Sequence, residues 1–192
     1  MSHESLRAHL HYLAAVMLMA VGQENAAIRQ YRTAIAYNAH DAKAWRNLAF
    51  VLARRKDWAA AVEAYRQALA INPGDEATRF NLAFVLHQHE RFDAAITEFQ
   101  QVVKSAPNND RAWYGLGLCY GQAGRPEDEI AALKEAARLQ YFNPHAGFHL
   151  TLAYLKLGRH EEARAEYERV KSFDPKCANQ ISRAITERYG TS

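Results

Sequence analysis

The chain has 192 residues, 49% of them apolar and 23% charged, with a formal net charge of +3. That is enough chain for one domain with a continuous core, and too little net charge to argue for a nucleic-acid or membrane partner without a strong local patch. The two cysteines, Cys119 and Cys177, stand far apart; they offer neither a metal-ligand spacing nor a redox pair, and they fit a reducing, cytoplasmic setting.

In chain order, the first apolar run covers residues 12–21. It is shorter than the roughly 20 residues a bilayer-spanning helix needs, and Glu4, His9 and His11 before it make a poor start for a signal peptide. It reads as the first helix of a repeat. Leu48, Leu82, Leu116 and Leu150 recur at intervals of 34, as do Tyr31, Tyr65, Phe99, Leu133 and Tyr167. Trp45 and Trp113 are two periods apart, and Pro73, Pro107 and Pro175 keep the same phase. The period predicts units at 8–41, 42–75, 76–109, 110–143 and 144–177 in a single domain over 1–192, closed by a capping helix at 178–190.

Each unit divides into two helical patterns. In the second unit Trp45, Leu48, Ala49 and Leu52 follow helical spacing, and Ala61, Tyr65 and Ala68 resume it after a turn near Lys56. Gly22, Gly124 and Gly158 occupy that turn elsewhere, where a left-handed residue can end the first helix. Lys56 and Glu90 stand there in the other two units, at a small predicted cost. Unit junctions such as Asn72-Pro73-Gly74-Asp75 and Pro107-Asn108-Asn109-Asp110 carry helix caps, and Asn143-Pro144 reads as a cap followed by a first-turn proline. Small residues form two columns where helices must approach closely: Ala15, Ala49, Ala83 and Gly117 in one, Ala27, Ala61, Ala95 and Ala163 in the other. Glu129 interrupts the second column, so it is expected to find a partner or tilt outward, because an unpaired buried carboxylate is costly. After the last unit, Ile181, Ala184, Ile185 and the stem of Arg188 give the capping helix one apolar side.

These features resemble the tetratricopeptide repeat family. The fourth unit carries its first-helix pattern in Trp113, Leu116, Gly117 and Tyr120, and the second and third carry Ala61, Tyr65, Pro73 and Ala95, Phe99, Pro107. Departures are His11, Arg79 and Gly147 where tryptophan is usual, and Ala39 and Tyr141 where proline is usual. The resemblance implies an all-α, right-handed superhelical solenoid of five helix-turn-helix units plus the capping helix, and a concave surface lined by first helices. On that face the fifth unit positions read Tyr12, Arg46, Phe80, Tyr114 and Phe148, and one turn on come Val16, Phe50, Phe84, Leu118 and Leu152. Some of these rings can tuck between neighbouring first helices, but contiguous exposed apolar area marks contact sites. Asn47 and Asn81 stand where relatives hold a ligand's backbone amides; Leu13, Gly115 and His149 fill the place in other units. Lys43, Arg46, Arg54, Arg111 and Lys156 make the face basic, while the acids fall mainly on second helices and loops.

The expected function is a protein-interaction scaffold or adaptor that binds a peptide or helix with acidic and hydrophobic residues. The expected groove is Tyr12, Lys43, Arg46, Asn47, Phe50, Arg54, Phe80, Asn81, Phe84, Arg111, Tyr114, Leu118, Phe148 and His149. No enzyme activity, metal or cofactor is expected. Two other classes stay open. Arg54-Arg55-Lys56 with the rings would suit single-stranded RNA, although the low net charge argues against it. Unit one's Met17, Leu18 and Met19, without an obvious preceding helix, would suit a homo-oligomer.

Overall fold

The computed structural model describes residues 3–189, all-α, with eleven helices. Their order is α1 (His3–Ala20), α2 (Glu24–Tyr37), α3 (Ala42–Arg54), α4 (Trp58–Ile71), α5 (Glu76–Gln88), α6 (Phe92–Ser105), α7 (Asp110–Gln122), α8 (Pro126–Leu139), α9 (Pro144–Lys156), α10 (His160–Phe173) and α11 (Pro175–Tyr189). They fall into two compact bodies, α1–α5 through Arg91 and α6–α11 from Phe92 onward. Within each body successive helices pack against one another, so each contact is local in sequence.

The helix ends follow from the junction chemistry. Asp41 accepts from the N–H groups of Lys43 and Ala44, Asp57 from Ala60, Asp75 from Thr78, Asn109 from Ala112 and Asn143 from His145. Each side chain satisfies an orphan donor at a helix start. The mid-unit turns all need a left-handed residue: φ is 75° at Gly22, 71° at Gly124 and 68° at Gly158, and 60° and 59° at Lys56 and Glu90. The two non-glycine turns therefore carry the Cβ strain that the others avoid.

The small-residue columns are the helix contacts. Ala15, Ala49, Ala83, Ala27, Ala61 and Ala95 are completely buried. In the first body Tyr31, Tyr65, Leu48 and Leu82 are buried with the first five of these alanines, and in the second body Ala95, Phe99, Leu116, Leu133 and Leu150 continue the pattern. Glu129 does not tilt outward. It is buried, and its Oε2 lies 3.1 Å from the Nζ of Lys156 on α9. Thr151, which stands one period after Gly117 in the first column, is also buried and donates its hydroxyl to the Gly147 carbonyl at 2.9 Å.

The final helix begins earlier than the predicted 178, at Pro175, because Asp174 caps it by accepting from the Cys177 N–H. It buries Cys177, Ala178 and Ile181 and packs on Val170, with Phe148, Tyr167, Phe173 and Ile185 around them. The predicted end at Gly190 and the stem of Arg188 lie outside the described residues and side chains.

Candidate functional site

In the first body the first helices of successive units, α1, α3 and α5, carry the expected groove residues. One column is open: Phe50 and Phe84 are each 49% exposed, and Val16 is 39% exposed. The column one turn earlier is tucked in. Tyr12 and Phe80 are half-buried, and Tyr12 meets Tyr31 of α2 edge-on at 5.9 Å. The apolar part of the face is thus carried by Phe50, Phe84 and Val16, with the earlier rings forming its floor.

The two asparagines differ. Asn47 donates from Nδ2 to the Tyr12 hydroxyl at 3.0 Å. It ties α3 to α1. Asn81, half-buried on α5, has its amide uncommitted to any side-chain hydrogen bond among the described residues. A free primary amide offers a donor and an acceptor to a peptide unit.

The cations are partly engaged. Arg46 pairs with Asp75 at 3.2 Å, and Arg54 pairs with Glu24 at 3.1 Å. Arg55 donates to Asn25. Lys43 is exposed at the start of α3. Counting charges on the first helices alone misses this, since the neutralising carboxylates come from a unit junction and from the start of a second helix. The same links occupy two members of the Arg54-Arg55-Lys56 cluster on which an RNA reading would draw. Asp75 shows the effect: burial works to raise its carboxyl, but the Thr78 N–H and hydroxyl and Arg46 outweigh this and hold it below its usual range.

In the second body Tyr114, Leu118, Phe148 and His149 are half-buried and Arg111 is exposed. Tyr114 packs against the Ile130, Leu133 and Leu150 cluster, and Phe148 packs against Val170, Cys177 and Ile181. These rings serve the core at least as much as a surface. His149 lies against both, with ring centroids 5.9 Å from Tyr114 and 5.2 Å from Phe148. Burial, with help from Lys156 and His145, pushes its pKa down to about 4, so it is neutral at pH 7. Burial also pushes the Cys119 thiol up to about 12, leaving it an inert core group. Among the described residues no three His, Cys, Asp or Glu side chains are grouped to hold a metal ion, and no helix is long and apolar enough to cross a membrane.

Side chains whose roles the spacing did not reveal complete the junctions. Trp45 and Trp113 donate their indole N–H to the carbonyls of Ala39 and Pro107, six residues back. Arg79 donates to Pro73 at the same separation, and where Gly147 lacks a side chain Arg169 reaches over from α10 to the Tyr141 carbonyl.

A stack of helix pairs with small-residue seams, left-handed mid-unit turns and one open first-helix face defines an all-α repeat scaffold of the protein-interaction type. The chain belongs to the tetratricopeptide repeat family: models of that repeat match residues 52–119 and 86–138, residues 12–76 and residues 148–177. No curated protein matches it. Among solved structures it is similar to residues 41 to the end of MamA from Desulfovibrio magneticus RS-1, at 21% identity over 93% of this chain and 96% of that one, with a TM-score of 0.80. It is also similar to YrrB, described as a TPR protein with an unusual peptide-binding site, at 17% identity over 90% of each chain, with a TM-score of 0.81. PilF of Pseudomonas aeruginosa is 18% identical over 100% of this chain and 96% of its own, with a TM-score of 0.70. At these identities the likeness concerns the fold.

Proposed function

We propose that the protein is a scaffold or adaptor, working as one interaction domain of five units and a cap, that binds a partner's peptide along its first-helix face. The observation that carries this is the open column of Phe50 and Phe84, one period apart and each 49% exposed, with Val16 beside them. Aromatic side chains left half in water on a rigid helix scaffold are typical anchors of binding energy. Asn81 would grip a peptide unit of the ligand, whereas Asn47 is already committed to holding Tyr12. First helices one unit apart lie about 10 Å from each other, near the length of three extended residues. An extended ligand with apolar side chains three residues apart would therefore reach successive rings. Lys43, Arg46 and Arg54 favour acidic residues between the apolar ones, though Asp75 and Glu24 offset part of that attraction, and Arg111 is the exposed cation on the second body's own first helix. The second body, taken by itself, offers Tyr114, Leu118, Phe148 and His149 on its own first helices, half-buried, as a further surface of the same kind. A peptide-binding structural relative and the repeat family itself support it.

The test is selection of peptides from a random displayed library on the full chain, followed by titration against variants. The selected peptides are expected to combine apolar and acidic residues. Phe50→Ala/Phe84→Ala should weaken them at least tenfold, with Asn81→Ala weakening them less and far-UV circular dichroism unchanged. Unaltered binding by the double variant, or binding that strengthens with added salt, would overturn the reading.

A further inference from the structure

The groove reading does not use the most exposed apolar side chains of α1. Leu10 is 57% exposed, Met17 72% and Val21 68%, and Leu6, Leu13 and Val16 are 47%, 43% and 39% exposed. Ala8 and Ala15, on the opposite side of the same helix, are the residues it buries, and α1 packs closely on α2. Leu6, Leu10, Leu13 and Met17 therefore form one outward stripe at alternating spacings of four, three and four residues.

In later units this side of the first helix is covered by the preceding second helix. The residues at Leu10's place are Ala44, Thr78, Ala112 and Ala146, none more than 1% exposed. Those at Met17's place are Val51, Val85, Cys119 and Ala153, again none above 1%. Alanine, threonine, cysteine and valine there allow the close approach of one unit to the next. Leucine and methionine at the same places in α1 are too bulky for that approach. They suit a helix held at the wider spacing of a leucine-type seam.

We propose that this stripe is a homodimer interface in which α1 pairs antiparallel with α1 of a second copy. The spacing is the same read in either direction. Antiparallel pairing about a two-fold axis between Leu10 and Leu13 sets Leu6 against Met17 of the second copy and Leu10 against its Leu13, so every rung is apolar. The charges agree. Glu4 and Arg7 are the only Asp, Glu, Lys or Arg residues in α1, and this register places Arg7 beside the second copy's Ala14, away from its Arg7. The five of these side chains that the groove reading leaves unused, Leu6, Leu10, Leu13, Met17 and Val21, offer on the order of 500 Å² of apolar surface, the larger part of the roughly 800 Å² per partner that a standard interface buries. A head-to-tail contact with α11 is disfavoured, because that helix turns Lys176, Asn179, Gln180, Arg183 and Glu187 to water. The contact therefore closes at two copies.

Sedimentation of the full chain from low to high micromolar concentration tests this, together with oxidative cross-linking. The wild type is expected to dimerise, and Leu10→Glu/Met17→Glu to stay monomeric at concentrations at least tenfold higher with an unchanged helical spectrum. Both positions are exposed, so the substitutions leave the fold intact. Leu6→Cys/Met17→Cys is expected to form a disulfide-linked dimer, and a mixture of Leu10→Cys with Phe50→Cys is not. A wild type that stays monomeric, a Glu variant that still dimerises, or cross-linking between positions 10 and 50, which would mean α1 seated in a neighbour's groove, would each overturn the proposal. Peptide binding that survives in the monomeric variant separates this interface from the groove.

Discussion

Single side chains at strained or buried places decide several outcomes. Lys56 and Glu90 hold the left-handed turn that glycine holds in the other units. A Cβ in that region costs about 1–2 kcal/mol, partly offset by the greater freedom glycine has in the unfolded chain. Lys56→Gly and Glu90→Gly should each stabilise the protein by about 0.5–1 kcal/mol, read as a higher urea midpoint with unchanged slope. The Glu129–Lys156 pair responds in the opposite way. Glu129's side chain is only 4% exposed, so Lys156→Ala leaves a buried carboxylate without its cation. The expected cost is about 3 kcal/mol, the low end for a broken buried pair because Lys156 itself is partly exposed. Glu129→Gln in the same background should recover most of it, since an amide tolerates burial better than a charge. Denaturant titration of the two single variants and the double variant measures the coupling.

At the scale of helices, the sequence made the repeat visible because stacking demands it. A column of alanines 34 residues apart has no other purpose than close packing, and it marked both the period and the buried seam. The site was less legible. Spacing puts Tyr12, Phe80, Tyr114 and Phe148 on the same side of their helices as Phe50 and Phe84, but it does not say how deep the neighbouring helix sits. Phe148 is drawn onto Val170, Cys177 and Ile181 because α11 begins at Pro175 and brings those residues against it. Equally, the roles of Arg79 and Arg169 were hidden, since nothing in the period says that an arginine will reach the carbonyl a tryptophan serves elsewhere. The last helix makes the matching prediction. Truncation before Pro175 uncovers Val170, now fully buried, along with Phe148 and Tyr167. The truncated chain should bind a hydrophobic dye and lose helical signal at lower temperature, with α9 and α10 exchanging amide protons fastest. A truncated protein as stable as the full chain would show that α11 is not a cap.

For the molecule as a whole, acid should act in two separable steps. His149 has a folded pKa of about 4, against an ordinary value of 6.5, because Tyr114 and Phe148 bury it and Lys156 and His145 oppose its charge. The unfolded chain therefore takes up a proton between pH 6.5 and 4 that the folded chain refuses. Stability from this residue is complete above the unfolded value and falls as the pH drops towards 4, by roughly 3 kcal/mol in all. His87, lowered by burial, adds to the same slope. Asp75 titrates later. Its folded pKa lies below 3.8, so its contribution is kept above that value and lost only at more acid pH. Urea unfolding at intervals from pH 7.5 to 3 should show a decline beginning near pH 6.5, steepening again below 4. In His149→Phe, which keeps an apolar ring between Tyr114 and Phe148, the first decline should shrink to the part His87 supplies, while the second, carried by the Asp75 pairing with Arg46 and Thr78, remains. An unchanged first decline would mean that His149 is protonated as readily in the folded chain as in the unfolded one, and that the ring cluster around it is open to water.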